Sequence, residues 1–235
     1  MKFKQIISRI FFPERCEICG NIKPLTQPYC EKCGIDAEAI SPHACPDCCH
    51  EQCMCGSSAH IMLPHFSAVY YYKGELKRSI LSFKFNKDAS YADIFGKAMA
   101  DKIKELYPDI SFDSICFVPM TSKAQKIRGY NQSELLAMSI SQELSLPIND
   151  CLSKIKISHN QKELSAKERA ENVKGSFELK ENCNIYGQTL ILCDDIKTTG
   201  ATLRECCDTL IKGGAKDVYC ICLALTPYHL NTDLF

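Results

Sequence analysis

The chain of 235 residues carries no net charge, because 28 Lys/Arg balance 28 Asp/Glu. Bulk charge therefore announces neither a nucleic-acid nor a membrane partner. A transmembrane segment is also missing. The stretch from Met1 to Pro13 holds Ile6, Ile7, Ile10, Phe11 and Phe12, but Lys2, Lys4 and Arg9 break it up. It is too short and too charged to span a bilayer, and no signal peptide is evident. It reads as a short amphipathic helix docked on the body, with a membrane-surface anchor as the alternative.

Cysteine, by contrast, is plentiful. Of 17 cysteines, nine fall between Cys16 and Cys55. The other eight are scattered through apolar runs, where they are expected to pack as small hydrophobes. Clustered CxxC pairs suggest metal ligands rather than disulfides, and hence a reducing, cytoplasmic compartment. Cys16-x-x-Cys19 and Cys30-x-x-Cys33 supply four thiolates in two knuckles, matching a structural zinc ribbon. Gly20 and Gly34 follow the second cysteine of each knuckle. A less regular set, Cys45, Cys48, Cys53 and Cys55, reads as a second site or as a degenerate ribbon without metal. Cys49, His43 and His50 are competing ligands there. Four thiolates per site leave no open position for chemistry, so the zinc is expected to be structural. From Met1 to His65 there are six Lys/Arg and seven Asp/Glu, so the basic stripe of a nucleic-acid reader is absent.

The stretch from Ile191 to Leu203 carries the most chemistry. An apolar run, Thr189 to Cys193, reads as a strand buried on both faces of a parallel sheet. Asp194 and Asp195 would then sit at its carboxyl end, where open α/β sheets bind ligands. Thr198, Thr199, Gly200, Ala201 and Thr202 follow, with hydroxyls and free N–H groups at a helix N-terminus, an anion site. The helix presents Leu203, Cys206, Cys207, Leu210 and Ile211 as one apolar face, and Gly213-Gly214 closes it. Asp217 to Leu225 is the next strand. A phosphate site beside carboxylates that suit sugar hydroxyls or magnesium describes a ribose 5-phosphate.

This Asp-Asp-x-x-x-Thr-Gly-x-Thr pattern resembles the loop of type I phosphoribosyltransferases that binds phosphoribosyl pyrophosphate (PRPP). Together with the cysteines, the chain from about Cys16 to the last strand resembles the ComF/GntX family of bacterial phosphoribosyltransferase-like proteins. The resemblance implies a mostly parallel α/β sheet with flanking helices over residues 63–235. A zinc-ribbon module with a short N-terminal helix would precede it over 1–62. It also implies magnesium with PRPP, and a link to DNA uptake in natural transformation through single-stranded DNA or competence-machinery proteins.

Other segments fit that frame. Ala68 to Tyr72 reads as a short strand and Gly74 to Asn86 as a helix. Phe83-Lys84-Phe85 resembles the family's Leu-Lys-Phe element. Its basic run is either a solvated face or puts Lys84 near the cleft. Ile115 to Val118 reads as a buried strand whose end, in the resembled fold, carries a pyrophosphate-gripping loop. Lys123, Lys126 and Arg128 follow, then Gly129-Tyr130-Asn131-Gln132, close to the family's Arg-Gly-Phe-Asn-Gln. Arg128 offers a planar fork for phosphate oxygens. Asn131 can cap a helix bearing Leu135, Leu136, Ile140 and Leu144. The polar stretch from Ser158 to Gly175 reads as a lid or as disorder, and Gln161, Leu164, Ser165, Arg169 and Asn172 match the family pattern there.

In the implied reaction, a nucleophile attacks C1 of the ribose from the face opposite the departing pyrophosphate. Asp194 and Asp195 would hold ribose hydroxyls or metal, residues 198–202 the 5-phosphate, and Arg128 and Lys84 the pyrophosphate. Relatives acting on 6-oxopurines place an Asp before the Thr-Gly, where this chain has Thr198, so a hypoxanthine or guanine acceptor is disfavoured. No nucleobase-binding motif is recognisable. A PRPP-binding protein serving DNA uptake is thus the first reading, and a conventional nucleobase-salvage transferase the second. Acceptor and oligomeric state are not encoded in any motif found.

Overall fold

The computed structural model describes residues 13, 15–16, 18–24, 30, 33, 38–56, 61–85, 89–155 and 173–227. The expected N-terminal helix, Gly34 and the lid residues Gln161, Leu164, Ser165, Arg169 and Asn172 lie outside them. Four strands form the central sheet: β1 (Phe66–Tyr71), β2 (Ser114–Phe117), β5 (Thr189–Lys197) and β6 (Asp217–Leu225). All are parallel, in the order β1-β6-β5-β2. Strands β3 (Leu152–Lys154) and β4 (Phe177–Leu179) make a separate antiparallel pair. The helices are α1 (Gly74–Phe85), α2 (Tyr91–Leu106), α3 (Ser122–Arg128), α4 (Gln132–Leu144) and α5 (Ala201–Lys212). Among the described residues no helix is long and apolar enough to cross a membrane.

Strand β5 is buried on both faces because its side chains alternate between two cores. Leu190 and Leu192 join Leu203, Cys206, Cys207 and Leu210 of α5, along with Leu152 and Phe177 of the hairpin. Ile191 and Cys193 face the other way, onto Leu76, Ile80 and Phe83 of α1, Phe95 and Met99 of α2, and Leu136 and Ile140 of α4. Each fully buried Leu, Ile or Phe contributes about 2 kcal/mol, so this pattern alone holds the strand central. Helices α2 and α4 meet closely at Gly96, where a Cβ would stand 2.3 Å from that of Ser139. The scattered cysteines of β2, β5, α5 and β6 do pack as small hydrophobes. Ile211 departs from the expected face and is exposed, while Leu203, Cys206, Cys207 and Leu210 join the core.

One expectation about β5 changes. The strand does not stop at Cys193 but runs through both carboxylates to Lys197, since β6 keeps pairing with it as far as Lys197 opposite Leu225. On the other side β2 ends with Phe117 opposite Cys193. Asp194 and Asp195 therefore stand beside the gap left where β2 stops.

The cysteine-rich segment straddles the β1 edge. Ala39 bridges Tyr70 in antiparallel fashion, with the N–H of Ile40 donating to Val69 and that of Tyr71 to Glu38. Cys16, Ile18, Cys30 and Cys33 join the core on the α1–α2–α4 side, whereas Ile40, Cys49 and Leu63 join the core on the α5 side.

Candidate functional site

The site is assembled at the end of β2. The Asn131 side chain accepts from Ser133 N–H (3.2 Å) and donates to the Val118 carbonyl (3.0 Å). It thus caps α4, as its position predicts, and also ties that helix to the strand end. Ser133 Oγ then donates to Asp194 Oδ1 at 2.7 Å, and the Asp195 N–H reaches the same oxygen at 2.9 Å. Lys84, from the last turn of α1, places Nζ 2.7 Å from Asp195 Oδ2, with both side chains nearly enclosed. The basic run of α1 is therefore divided: Lys84 turns to the carboxylates while Lys77 and Arg78 face solvent. Burial pushes the Asp194 carboxyl up to about 7, and the Asp195 charge beside it adds to the effect. The Ser133 hydrogen bond and Lys84 act in the opposite sense.

A cleft of about 390 Å³ opens over these carboxylates, lined among others by Lys84, Met120, Lys123, Arg128, Asn131 and Lys154. Arg128 ends α3, a short helix capped by the Thr121 hydroxyl on Ala124 N–H, in place of the loop expected after β2. Its guanidinium donates to Gln132 Oε1 at 3.2 Å and lies 5.4 Å from the Phe85 ring centre. Tyr130 donates to the Phe83 carbonyl, which locks the start of α4 against α1.

Lys154 is a site residue that sequence reasoning missed. It sits on β3, half-buried, with Nζ 5.1 Å from the Phe177 ring centre. Burial lowers its pKa, and the nearby Asp194 carboxylate offsets this in part. Among the described residues it has no carboxylate within ion-pair distance. A lone lysine in a three-residue strand carries no local signal; only the fold brings it to the cleft. Ser133 escaped notice for the same reason.

Next to the carboxylates is the turn. Gly200 caps α5 at φ +91°, a conformation that disfavours any residue with a Cβ. Thr199 Oγ1 accepts from Ala201 N–H at 3.4 Å. A recess lined by Asp194 and residues 196–203 surrounds the first turn of α5, so all five expected turn residues, Thr198 to Thr202, come together. Free N–H groups of that first turn and three hydroxyls suit a phosphate.

The two cysteine sets also come together as expected. Within each of the groups Cys16/Cys19/Cys30/Cys33 and Cys45/Cys48/Cys53/Cys55, the sulfurs lie within 4.8 Å of one another. Cys19–Cys30 and Cys45–Cys55 sulfurs are 3.5 and 3.7 Å apart. A tetrahedral Zn–S site has an edge of about 3.8 Å, so both sets could hold a metal such as zinc. Burial opposes ionisation of Cys30 and Cys45, but N–H donors and neighbouring thiols bring both down to about 7. Cys49 does not join the second group; its Sγ is directed to the Phe66 carbonyl at 3.7 Å. Among the described residues, neither His43 nor His50 joins a group.

The chain is similar to known proteins. The phosphoribosyl transferase domain matches residues 131–231, from the Asn131 cap through the turn to the last strand. Competence protein F of Haemophilus influenzae is 30% identical over 197 residues, covering 81% of this chain and 82% of that protein. Competence protein ComFC of Bacillus subtilis is 29% identical over 203 residues, covering 85% and 78%. DNA utilization protein YhgH of Escherichia coli K12 is 25% identical over 218 residues, covering 89% and 90%. At 30% identity over some four fifths of both chains, and with its paired cysteine sets ahead of the transferase domain, the chain belongs to the ComF/GntX family of phosphoribosyltransferase-like proteins.

Proposed function

We propose that the cleft binds PRPP with magnesium and that the protein serves DNA uptake. The observation that carries this reading is the adjacency of Asp194 and Asp195 to the Gly200 turn at the start of α5. Residues 198–202 hold the 5-phosphate, while Asp194 and Asp195 hold ribose hydroxyls or the metal. Arg128, Lys84 and Lys154 surround the pyrophosphate. The cations stabilise negative charge on the leaving group, and the protein contributes positioning. The cysteine module, residues 1–62, holds structural zinc and joins the transferase-like part at about residue 63. The cytoplasm is the matching compartment. The names of the relatives from Haemophilus and Bacillus support competence as the setting, and single-stranded DNA or a competence protein is the partner that setting calls for.

Calorimetry with PRPP and magnesium tests the binding claim. The intact protein should release heat, and Asp194→Asn/Asp195→Asn should abolish it. Unchanged heat in that variant would overturn the assignment. Nucleobase salvage is the second reading, favoured only by the transferase-domain match. Pyrophosphate release on a panel of free bases separates the two: PRPP binding without turnover on any base removes salvage. DNA contact predicts binding to single-stranded DNA that weakens steeply with salt; salt-insensitive or absent binding counts against it.

A further inference from the structure

Residues 61 and 62 lie against the phosphate turn. Ile61 N–H donates to the Thr199 carbonyl at 3.1 Å. Arg204, in the first turn of α5, donates to the Met62 carbonyl at 3.3 Å. A methyl placed on Gly200 would stand 3.2 Å from the Ile61 carbonyl oxygen and 2.9 Å from Lys197 Cε. Residues 61 and 62 thus form one wall of the turn, though the turn and the module are far apart in sequence.

A second path runs through the core. Cys49, flanked by Cys48 of the set, directs its Sγ to the Phe66 carbonyl, and Tyr71 Oη donates to the Cys49 carbonyl at 3.0 Å. Lys197 is buried with Nζ 4.8 Å from the Phe66 ring centre. The same Lys197 underlies Gly200. From the cysteine set to the phosphate turn there is therefore continuous packing through Cys49, Phe66 and Lys197, besides the backbone strap at 61–62.

We infer that metal occupancy of the Cys45/Cys48/Cys53/Cys55 set and phosphate binding at the Thr198–Thr202 turn are coupled, through the Cys49–Phe66–Lys197 packing and the 61–62 strap that lies on the turn. Ligation fixes residues 45–55 and with them Cys49, whose contact with Phe66 continues to Lys197 beneath the turn. The strap then holds the Thr199 carbonyl and Arg204, which shape the turn that receives the phosphate. This rests on the reading of the turn as the 5-phosphate site. Coupling of binding equilibria is reciprocal: a ligand in the turn must stabilise the metal in the set by the same factor by which the metal favours the ligand. Arg204 is here a positioning residue, acting through the Met62 carbonyl.

The test uses the full chain purified with its metal, and ribose 5-phosphate as the probe. Metal release to a chromogenic chelator is followed with and without the probe, and Cys53→Ser assigns the phase that belongs to the second set. Saturating ribose 5-phosphate should slow that phase about fivefold or more and leave the phase of the Cys16/Cys19/Cys30/Cys33 set unchanged. Arg204→Ala should weaken ribose 5-phosphate binding and, at a concentration that still saturates the variant, return the liganded release rate to the unliganded one. Calorimetry separates the failures. Heat of binding with unchanged release of the second set overturns the coupling and leaves the phosphate site standing. No heat from the metal-loaded protein overturns both. Slowing that survives in Arg204→Ala overturns the strap as the link.

Discussion

Lys84 and Asp195 join α1 to the strand that bears both carboxylates, with Nζ 2.7 Å from Oδ2 and neither side chain more than 16% exposed. The pair is enclosed enough that losing one partner strands a buried charge. Lys84→Ala is expected to cost about 3 kcal/mol of unfolding free energy, and adding Asp195→Asn should recover part of it. Urea titrations of the wild type, both single variants and the double variant give the coupling energy, and a value near zero would refute the pair's role.

Asp194 links stability to pH. Its carboxyl stands at about 7 in the folded protein against 3.8 in an exposed reference. The folded state keeps a proton that the unfolded chain has already released. The contribution is therefore fully present below about pH 4 and is lost as pH rises through about 7. Asp194→Asn should flatten that part of the profile, as read from urea midpoints at a series of pH values. Magnesium-dependent ligand binding should strengthen through the same window, because the cation needs the carboxylate. Stability profiles of identical shape would contradict the assignment.

Gly200 should tolerate no side chain. At φ +91°, alanine costs about 1–2 kcal/mol, and its methyl would also crowd Lys197 Cε at 2.9 Å. Gly200→Ala is expected to lower the melting temperature and abolish ribose 5-phosphate binding. Gly187→Ala is the control: φ is +72° but no atom lies within 4 Å. It should carry a similar backbone cost and leave ligand affinity intact. Equal ligand loss in both variants would mean that the turn is not the phosphate site.

Lys154 is held in the cleft at a cost in solvation, without a carboxylate partner among the described residues. Lys154→Gln should leave stability unchanged or slightly raised. Pyrophosphate affinity should fall about tenfold, the scale of one charge-assisted hydrogen bond. Competition of pyrophosphate against PRPP in calorimetry measures this, and unaltered affinity would remove Lys154 from the site.

What was legible in the sequence is what neighbouring residues settle among themselves. The two cysteine sets, the Asn131 cap, the α5 N-terminus and the twin carboxylates each depend on residues a few positions apart, so spacing and side-chain chemistry suffice to find them. The alternation of Leu190, Ile191, Leu192 and Cys193 likewise marks a strand buried on both faces. The ambiguity of Lys84 was also local in origin: a basic helix looks the same whether one of its lysines meets solvent or Asp195.

Tertiary structure decided what depends on distant partners. Ser133 and Asp194 meet across 61 positions of sequence, and Arg204 and Met62 across 142. Strand β5 continues to Lys197 because β6 supplies hydrogen-bond partners there, and the carboxylates stand beside a gap because β2 does not. Ile211 is exposed although it shares the helical spacing of Leu203, Cys207 and Leu210, which the core takes up. Periodicity along a chain reports which side a residue prefers, but a cleft is made by the ends of separate elements. Where those ends lie is set by pairing and packing between segments, which no local pattern records.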